Sequence, residues 1–428
     1  MRLLGPLRAG NRNSTTHPAR IAGTGVLVLV LAAGCGTDSS PSARAPSLPG
    51  PEVHPLLAEA PSPAPRGPIQ DGPPEQPLWT APFSSSPYSA GDMFVGLVHP
   101  SPAEPKLTVA GVDRTGTTRW EVKTNPACAG FGITRSGDRL LAVVLFSDAD
   151  ARGGKLATTT TASAFDVHTG QQAWGPVEVS GSLRGPGLTF GESRGERMVL
   201  SARDGRVVAR EGRDVVPRYE HHGSALIENR GRLEAVDSGD RKPLWNGRDL
   251  PAPASAVSKA GGGRLTPAFS SAAGASDADV VALDWRSGDG RVLGTSLHDL
   301  RTGRQVADLG DQSEITTHVD EAAGVVVTES PGESGRITAI DRRTGAPLWQ
   351  QPAHQTGLSL TSTSRGVGYG SDDLGTVHVD LRTGRPLARG DWNVPEAVSA
   401  TGQMLVENSG AGDPSRPYVA FRTPGRSG

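Results

Sequence analysis

One phrase recurs along this chain from residue 107 to its end: a few alternating apolar residues, an aspartate, a Thr-Gly turn, then a short strand that often ends in tryptophan. Clear copies are Asp113-Arg114-Thr115-Gly116 with Trp120, Asp166-Val167-His168-Thr169-Gly170 with Trp174, Asp299-Leu300-Arg301-Thr302-Gly303, Asp341-Arg342-Arg343-Thr344-Gly345 with Trp349, and Asp380-Leu381-Arg382-Thr383-Gly384. In all five, the residue four places beyond the glycine is Trp or Ala, a fixed offset that is hard to obtain by chance. Two copies are weaker. Asp237-Ser238-Gly239-Asp240 leads to Trp245 with a rearranged turn, and Arg203-Asp204-Gly205-Arg206 keeps only the turn.

The phrase has the chemistry of a hairpin. Period-2 alternation before the aspartate marks a strand with one buried face. Asp and Thr side chains bond turn amides, and Gly accepts the positive φ that tight connections require. The Trp then sits on the returning strand, where one ring can fill a gap between neighbouring sheets; truncating such a ring to Ala costs about 3–5 kcal/mol. Asp299, Asp341 and Asp380 are spaced by about 40 residues, the period of a four-stranded propeller blade. Alternating segments such as Leu140–Phe146, Val280–Trp285, Gly324–Thr328 and Gln403–Glu407 supply the strands.

These residues resemble the PQQ-like repeat family of β-propellers, whose signature is an apolar-x-Asp-x-x-Thr-Gly-x-x-x-Trp phrase; the resemblance covers most of residues 77–428. It implies an all-β propeller of four-stranded blades, in which Trp120, Trp174, Trp245 and Trp349 dock one blade on the next. The two ends of the chain fit together. Gln403–Glu407 and Tyr418–Phe421 form a blade lacking its outer strand, and Gln76-Pro77-Leu78-Trp79 matches Lys242-Pro243-Leu244-Trp245 and Ala346-Pro347-Leu348-Trp349. Leu78-Trp79 therefore supplies the missing strand and closes the ring. Seven internal copies and this composite give eight blades, or seven if the Asp204 unit belongs to a neighbour.

The N-terminus reads as an address. The first twenty residues carry Arg2, Arg8, Arg12 and Arg20 and no acid, and an apolar run follows from Ile21 to Ala33. That run is too short to span a bilayer, which needs about 20 apolar residues; with its positive head it makes a secretory signal over residues 1–34. Ala32-Ala33-Gly34-Cys35 resembles the lipobox of bacterial lipoproteins, with Ala32 where Leu is usual. The resemblance implies that Cys35 becomes the mature N-terminus and carries the lipid, a stable anchor when more than one chain is attached. Residues 35–76 are rich in Pro, Ser, Ala and Gly and read as a disordered tether between that lipid and a propeller at 77–428.

Composition narrows the chemistry. A formal net charge of −2 gives no support for nucleic-acid binding, which normally shows a clustered basic surface. A PQQ-dependent dehydrogenase of the family brings a vicinal cysteine pair and a Ca²⁺ site. Here Cys128 stands alone once Cys35 is lipidated, so no quinone, other cofactor or metal is expected. His221-His222 reads as a surface pair, because neighbouring strand residues face opposite ways. Ser147-Asp148-Ala149-Asp150 reads as a solvated turn, Ser371-Asp372-Asp373 and Glu329-Ser330-Pro331-Gly332-Glu333 as blade connections, and Gly261-Gly262-Gly263 as a flexible loop. The expectation is a monomeric, non-enzymatic scaffold on the outer face of the cell membrane, binding a protein or cell-envelope ligand through its loops. Non-catalytic relatives include the lipoprotein that scaffolds outer-membrane protein assembly in Gram-negative bacteria; its partner is not carried over. The alternative is an extracytoplasmic enzyme acting at the central channel, which a convergent cluster of carboxylates or a metal at the channel mouth would favour.

Overall fold

A computed structural model describes residues 52–54 and 77–423, apart from 102–105, 126–129, 150–156, 185–186, 192–195, 271–278, 313–314, 331–335, 353–356 and 409–417. The signal segment, Cys35, Cys128 and the Asp150 and Pro331–Glu333 parts of the two acidic loops lie outside the described residues.

Eight antiparallel sheets follow one another along the chain. Within each, strands consecutive in sequence pair as a meander, as alternating strands joined by tight turns must; the closing blade adds one strand from the N-terminal side. Blade 1 comprises Tyr88–Ala90, Met93–Val98, Leu107–Val112 and Thr118–Thr124. Blade 2 comprises Phe131–Ser136, Arg139–Ser147, Thr160–Asp166 and Gln172–Val179, and blade 3 Ser182–Leu183, Thr189–Gly191, Met198–Leu200 and Val207–Arg210. Blade 4 is Val215–His221, Ser224–Asn229, Arg232–Asp237 and Pro243–Asn246; blade 5 is Thr266–Phe269, Val280–Arg286, Val292–Asp299 and Gln305–Gly310. Blade 6 is Thr316–Asp320, Val325–Glu329, Arg336–Asp341 and Pro347–Pro352; blade 7 is Ser359–Ser364, Val367–Asp372, Gly375–Asp380 and Pro386–Gly390. Blade 8 takes Pro395–Val398, Gln403–Glu407 and Tyr418–Arg422 from the C-terminus and Trp79–Ala81 from the N-terminal side.

The fold is the expected eight-bladed propeller, and the seven-blade alternative falls away. The Asp204 unit is a blade of its own, in which Ser201 takes the place of the aspartate. Gly205 N donates to Ser201 O at 2.9 Å, as Gly170 N donates to Asp166 O at 2.8 Å in blade 2. The closure also has the expected form: Trp79 pairs with Ala420, Thr80 with Val419 and Ala81 with Tyr418. Pairing residues from both ends removes an open sheet border, with its unpaired amides and carbonyls.

The core is divided among slabs between neighbouring blades. Val143 and Ala164 of blade 2 pack on Phe190, Met198 and Leu200 of blade 3, and Val327 and Ala339 of blade 6 pack on Leu360 and Val377 of blade 7. Trp79, Phe83 and Phe94 join blade 8 to blade 1 in the same way. A short helix, Ala254–Ala260, lies against blade 5, with Ala256 on Trp285 and Leu293.

The stretch expected as a tether is not wholly without structure. Glu52–His54 forms a fifth strand antiparallel to Thr118–Thr124, with Val53 opposite Val122. The outer strand of a blade leaves a row of ladder groups unpaired, and any extended segment within reach can satisfy them.

Candidate functional site

In each blade the turn after the inner strand and the turn after the third strand lie at the same end of the ring, because the strands alternate in direction. Backbone bonds tie the two: Ser238 N to Gly223 O in blade 4 and Leu381 N to Gly366 O in blade 7. The repeat phrase therefore frames the end at which the inner strands finish.

At this end blades 4, 5 and 6 bring together His221, His222, Asp279 and Glu321. His221 closes the inner strand Val215–His221. His222 follows with φ 45 and Gly223 with φ 83. This left-handed step breaks strand alternation, so the two rings do not face opposite ways. Their centroids lie 3.6 Å apart, and each Nδ1 approaches the same Asp279 Oδ1, at 3.1 Å from His221 and 3.0 Å from His222. The expected surface pair is thus corrected: the His221 side chain is only 4% exposed. From the opposite side of the ring, blade 2 sends Arg135, whose Nη1 lies 3.8 Å from Glu321 Oε2.

The charges follow from burial and partners. Burial pushes the His221 imidazole down to about 3, helped by the neighbouring His222, so the ring is neutral. Burial also acts to raise Asp279, but the hydrogen bond and charge of His222 outweigh it and hold the carboxyl well below the usual range. Glu321 is shifted upward, first by burial and then by its hydrogen bond to Asp279 and the charge of that carboxylate. Beneath them Glu220 is fully buried and pushed up to about 7 by desolvation. Its Oε2 accepts from Leu188 N of blade 3 at 2.7 Å and its Oε1 from Gly223 N at 3.0 Å, which fixes the turn carrying the histidines. Chemically this is an acceptor-rich cluster of one carboxylate and two imidazole nitrogens, suited to a cation or to proton transfer. Among the described residues the ligand atoms of His221, His222 and Asp279 all lie within 4.8 Å of one another.

The residues of the repeat phrase lie elsewhere, in the joints between blades. Each indole N–H donates to the carbonyl just past the first turn residue of the next blade: Trp79 to Arg114 at 3.1 Å, Trp120 to Val167 at 2.6 Å and Trp174 to Ala202 at 2.9 Å. Trp245 donates to Leu300 and Trp349 to Leu381, both at 2.8 Å. Each ring also covers the turn glycine of that next blade, Gly116, Gly170, Gly205, Gly303 and Gly384 in order. Two turn glycines meet something else: Gly345 the carbonyl of Val306, and Gly239 the guanidinium of Arg203. The aspartates hold the turns: Asp113, Asp166, Asp299, Asp341 and Asp380 accept from the amide and hydroxyl of the turn threonine through one oxygen. The other oxygen of two of them meets an arginine of the following blade, Arg342 on Asp299 at 3.0 Å and Arg382 on Asp341 at 3.4 Å.

Sequence reasoning missed Arg135, Asp279 and Glu321. All three flank the ends of inner or second strands, and strand register alone could have placed them at this mouth. It also missed a cleft at the opposite end, between blades 4 and 5, of about 500 Å³ and lined by Arg230, Arg232, Arg248 and Arg264 beside Leu250 and Trp285. Among the described residues, of these four arginines only Arg230 has a carboxylate within ion-pair distance, Asp214 at 3.6 Å.

Residues 105–387 match the family model described as outer membrane protein assembly factor BamB. No curated protein matches the chain in sequence. Similar solved structures include BamB from Moraxella catarrhalis, at 15% identity over 81% of this chain and 99% of that one, with a TM-score of 0.43. The computationally designed Ika8 protein gives 15% identity over 81% and 99%, with a TM-score of 0.41. The propeller domain of Cps50 (Swd1) from Myceliophteria thermophila gives 11% over 82% and 100%, with a TM-score of 0.40.

Proposed function

This chain belongs to the propeller family described as outer membrane protein assembly factor BamB, and we propose accordingly that it is a binding or scaffold propeller without catalytic activity, exported and lipid-anchored through Cys35. The observation that carries this reading is the family match over the repeats, joined to a ring whose blades are locked by five indole-to-backbone bonds. Such a ring holds its connecting loops at fixed positions, which suits docking of a partner more than conformational work. The apolar run and Ala-Ala-Gly-Cys support export and anchoring at the outer face of the cell membrane. The arginine-lined cleft between blades 4 and 5 offers a seat for acidic groups of a protein or cell-envelope ligand, since guanidinium groups bind carboxylate and phosphate in paired geometry.

The test is a pull-down of the full chain from detergent-solubilised membranes. A partner that co-purifies with the wild type and is lost with Arg232→Glu and Arg264→Glu supports the reading. Recovery of the same proteins with both variants removes the cleft from it, and recovery of nothing above an untagged control removes the scaffold.

A second reading, an enzyme acting at the channel mouth, is favoured by the convergence of His221, His222, Asp279 and Glu321. Turnover of an envelope-derived substrate that disappears in Asp279→Asn would replace the scaffold reading with this one.

A further inference from the structure

We propose that His221, His222 and Asp279 form a binding site for a divalent transition-metal ion, zinc by the chemistry of its donors. The site is independent of anchoring and of the arginine cleft. Two imidazole nitrogens and one carboxylate oxygen are the donors of open tetrahedral zinc sites, in which three protein ligands leave a position for water or substrate.

The geometry is specific. Zinc bonds of about 2.0–2.2 Å in a tetrahedron set ligand atoms about 3.3 Å apart. Here each imidazole Nδ1 already stands 3.0–3.1 Å from Asp279 Oδ1, close to that separation, and the ligand atoms of all three residues lie within 4.8 Å of one another. The two rings converge on the same oxygen, one of them carried by a left-handed non-glycine residue that turns it out of strand alternation. The support is rigid. Glu220 clamps the Gly223 amide behind the histidines, and Asp279 is anchored where its carbonyl accepts Leu300 N at 2.8 Å. The ion would sit at the ring's mouth with Arg135 facing Glu321, in reach of an anionic group entering from solvent.

The experiment uses the full chain, purified in detergent and stripped with a chelator, then titrated with Zn²⁺ against a chromogenic competitor and with Co²⁺ for its visible spectrum. The expected result is one tight Zn²⁺ site per chain and the intense absorption of tetrahedral Co²⁺. Loss of a group that merely supports a ligand costs about 10–100-fold in affinity, so His222→Ala and Asp279→Asn, which remove ligands, should weaken binding by at least about a hundredfold and abolish the Co²⁺ bands. His168→Ala, at an exposed pair with Asp92, should leave both unchanged. Absence of tight Zn²⁺ binding by the wild type, or unchanged affinity and spectrum in the two ligand variants, would overturn the proposal. Matching thermal melts of the metal-free proteins separate loss of a ligand from loss of fold. If His222→Ala fails to fold, the near-isosteric Asp279→Asn decides alone.

Discussion

The clearest perturbation of the blade joints is a single methyl group at Gly170. This residue has φ +68, and a Cβ built on it would lie 2.4 Å from Trp120 Cβ and 2.7 Å from Trp120 Cγ. Gly137 is its natural control, with φ +60 and nothing within 4 Å of the corresponding Cβ. Alanine in the left-handed region costs about 1–2 kcal/mol at either position. At Gly170 the methyl must also push the indole outward, an overpacking cost of about 1–3 kcal/mol. The shift draws Trp120 Nε1 off Val167 O, now at 2.6 Å, and removes a hydrogen bond worth about 1 kcal/mol. Gly170→Ala should therefore destabilise by about 3–6 kcal/mol and Gly137→Ala by about 1–2, a gap measurable as the difference in guanidinium unfolding midpoints followed by near-ultraviolet circular dichroism. In a Trp120→Gly background, Gly170→Ala should fall to the level of the control, because the Cβ at 2.4 Å is gone together with the ring. Equal destabilisation by the two glycine substitutions in the wild-type chain would refute the claim that these glycines exist to admit the preceding blade's tryptophan.

Trp79→Ala should cost about 3–5 kcal/mol, and deletion of residues 77–81 should cause aggregation by opening the Tyr418–Arg422 edge; an unchanged melting temperature in both would show that the closing strand is dispensable. Cys35→Ser should release the protein from membranes or leave an unprocessed precursor, whereas normal cleavage with unchanged membrane retention would rule out the lipid anchor. Glu329 should give stability a pH dependence, because burial pushes its carboxyl up to about 7 despite hydrogen bonds from Leu360 N and Ser359 Oγ. The unfolded chain ionises from the ordinary value of 4.5 while the folded chain keeps the proton, so this group lowers stability as pH rises from about 4.5 to 7, by up to about 1.4 kcal/mol per unit. Glu329→Gln should flatten that part of the profile, and superimposable wild-type and variant profiles would contradict the assignment.

Much of the scaffold was legible because its signals are local. Alternation, the Asp-x-x-Thr-Gly turn and the offset to Trp all fall within about a dozen residues, the range over which backbone preferences act without tertiary help. The match between Leu78-Trp79 and the internal outer strands carried the closure, since a repeat missing its last strand must recover it from the other end of the chain. The added strand at Glu52–His54 was not legible, because its pairing exploits an open edge and not any pattern of its own.

The sequence by itself determined the repeating unit and the closure, because each blade is specified by short-range periodicity and turn chemistry; the tertiary structure chose eight blades over seven by making the Asp204 unit a sheet of its own. The tertiary structure decided which partner each residue of the unit meets. A tryptophan's glycine lies in the following blade, and an aspartate's second oxygen meets an arginine from the blade after its own. It also decided the site. His221 and His222 face one carboxylate only because His222 leaves the strand in a left-handed turn, and Arg135 reaches Glu321 only because blades 2 and 6 face each other across a closed ring. Side chains separated by up to about 190 positions in sequence converge there through ring closure, and no local periodicity encodes that distance.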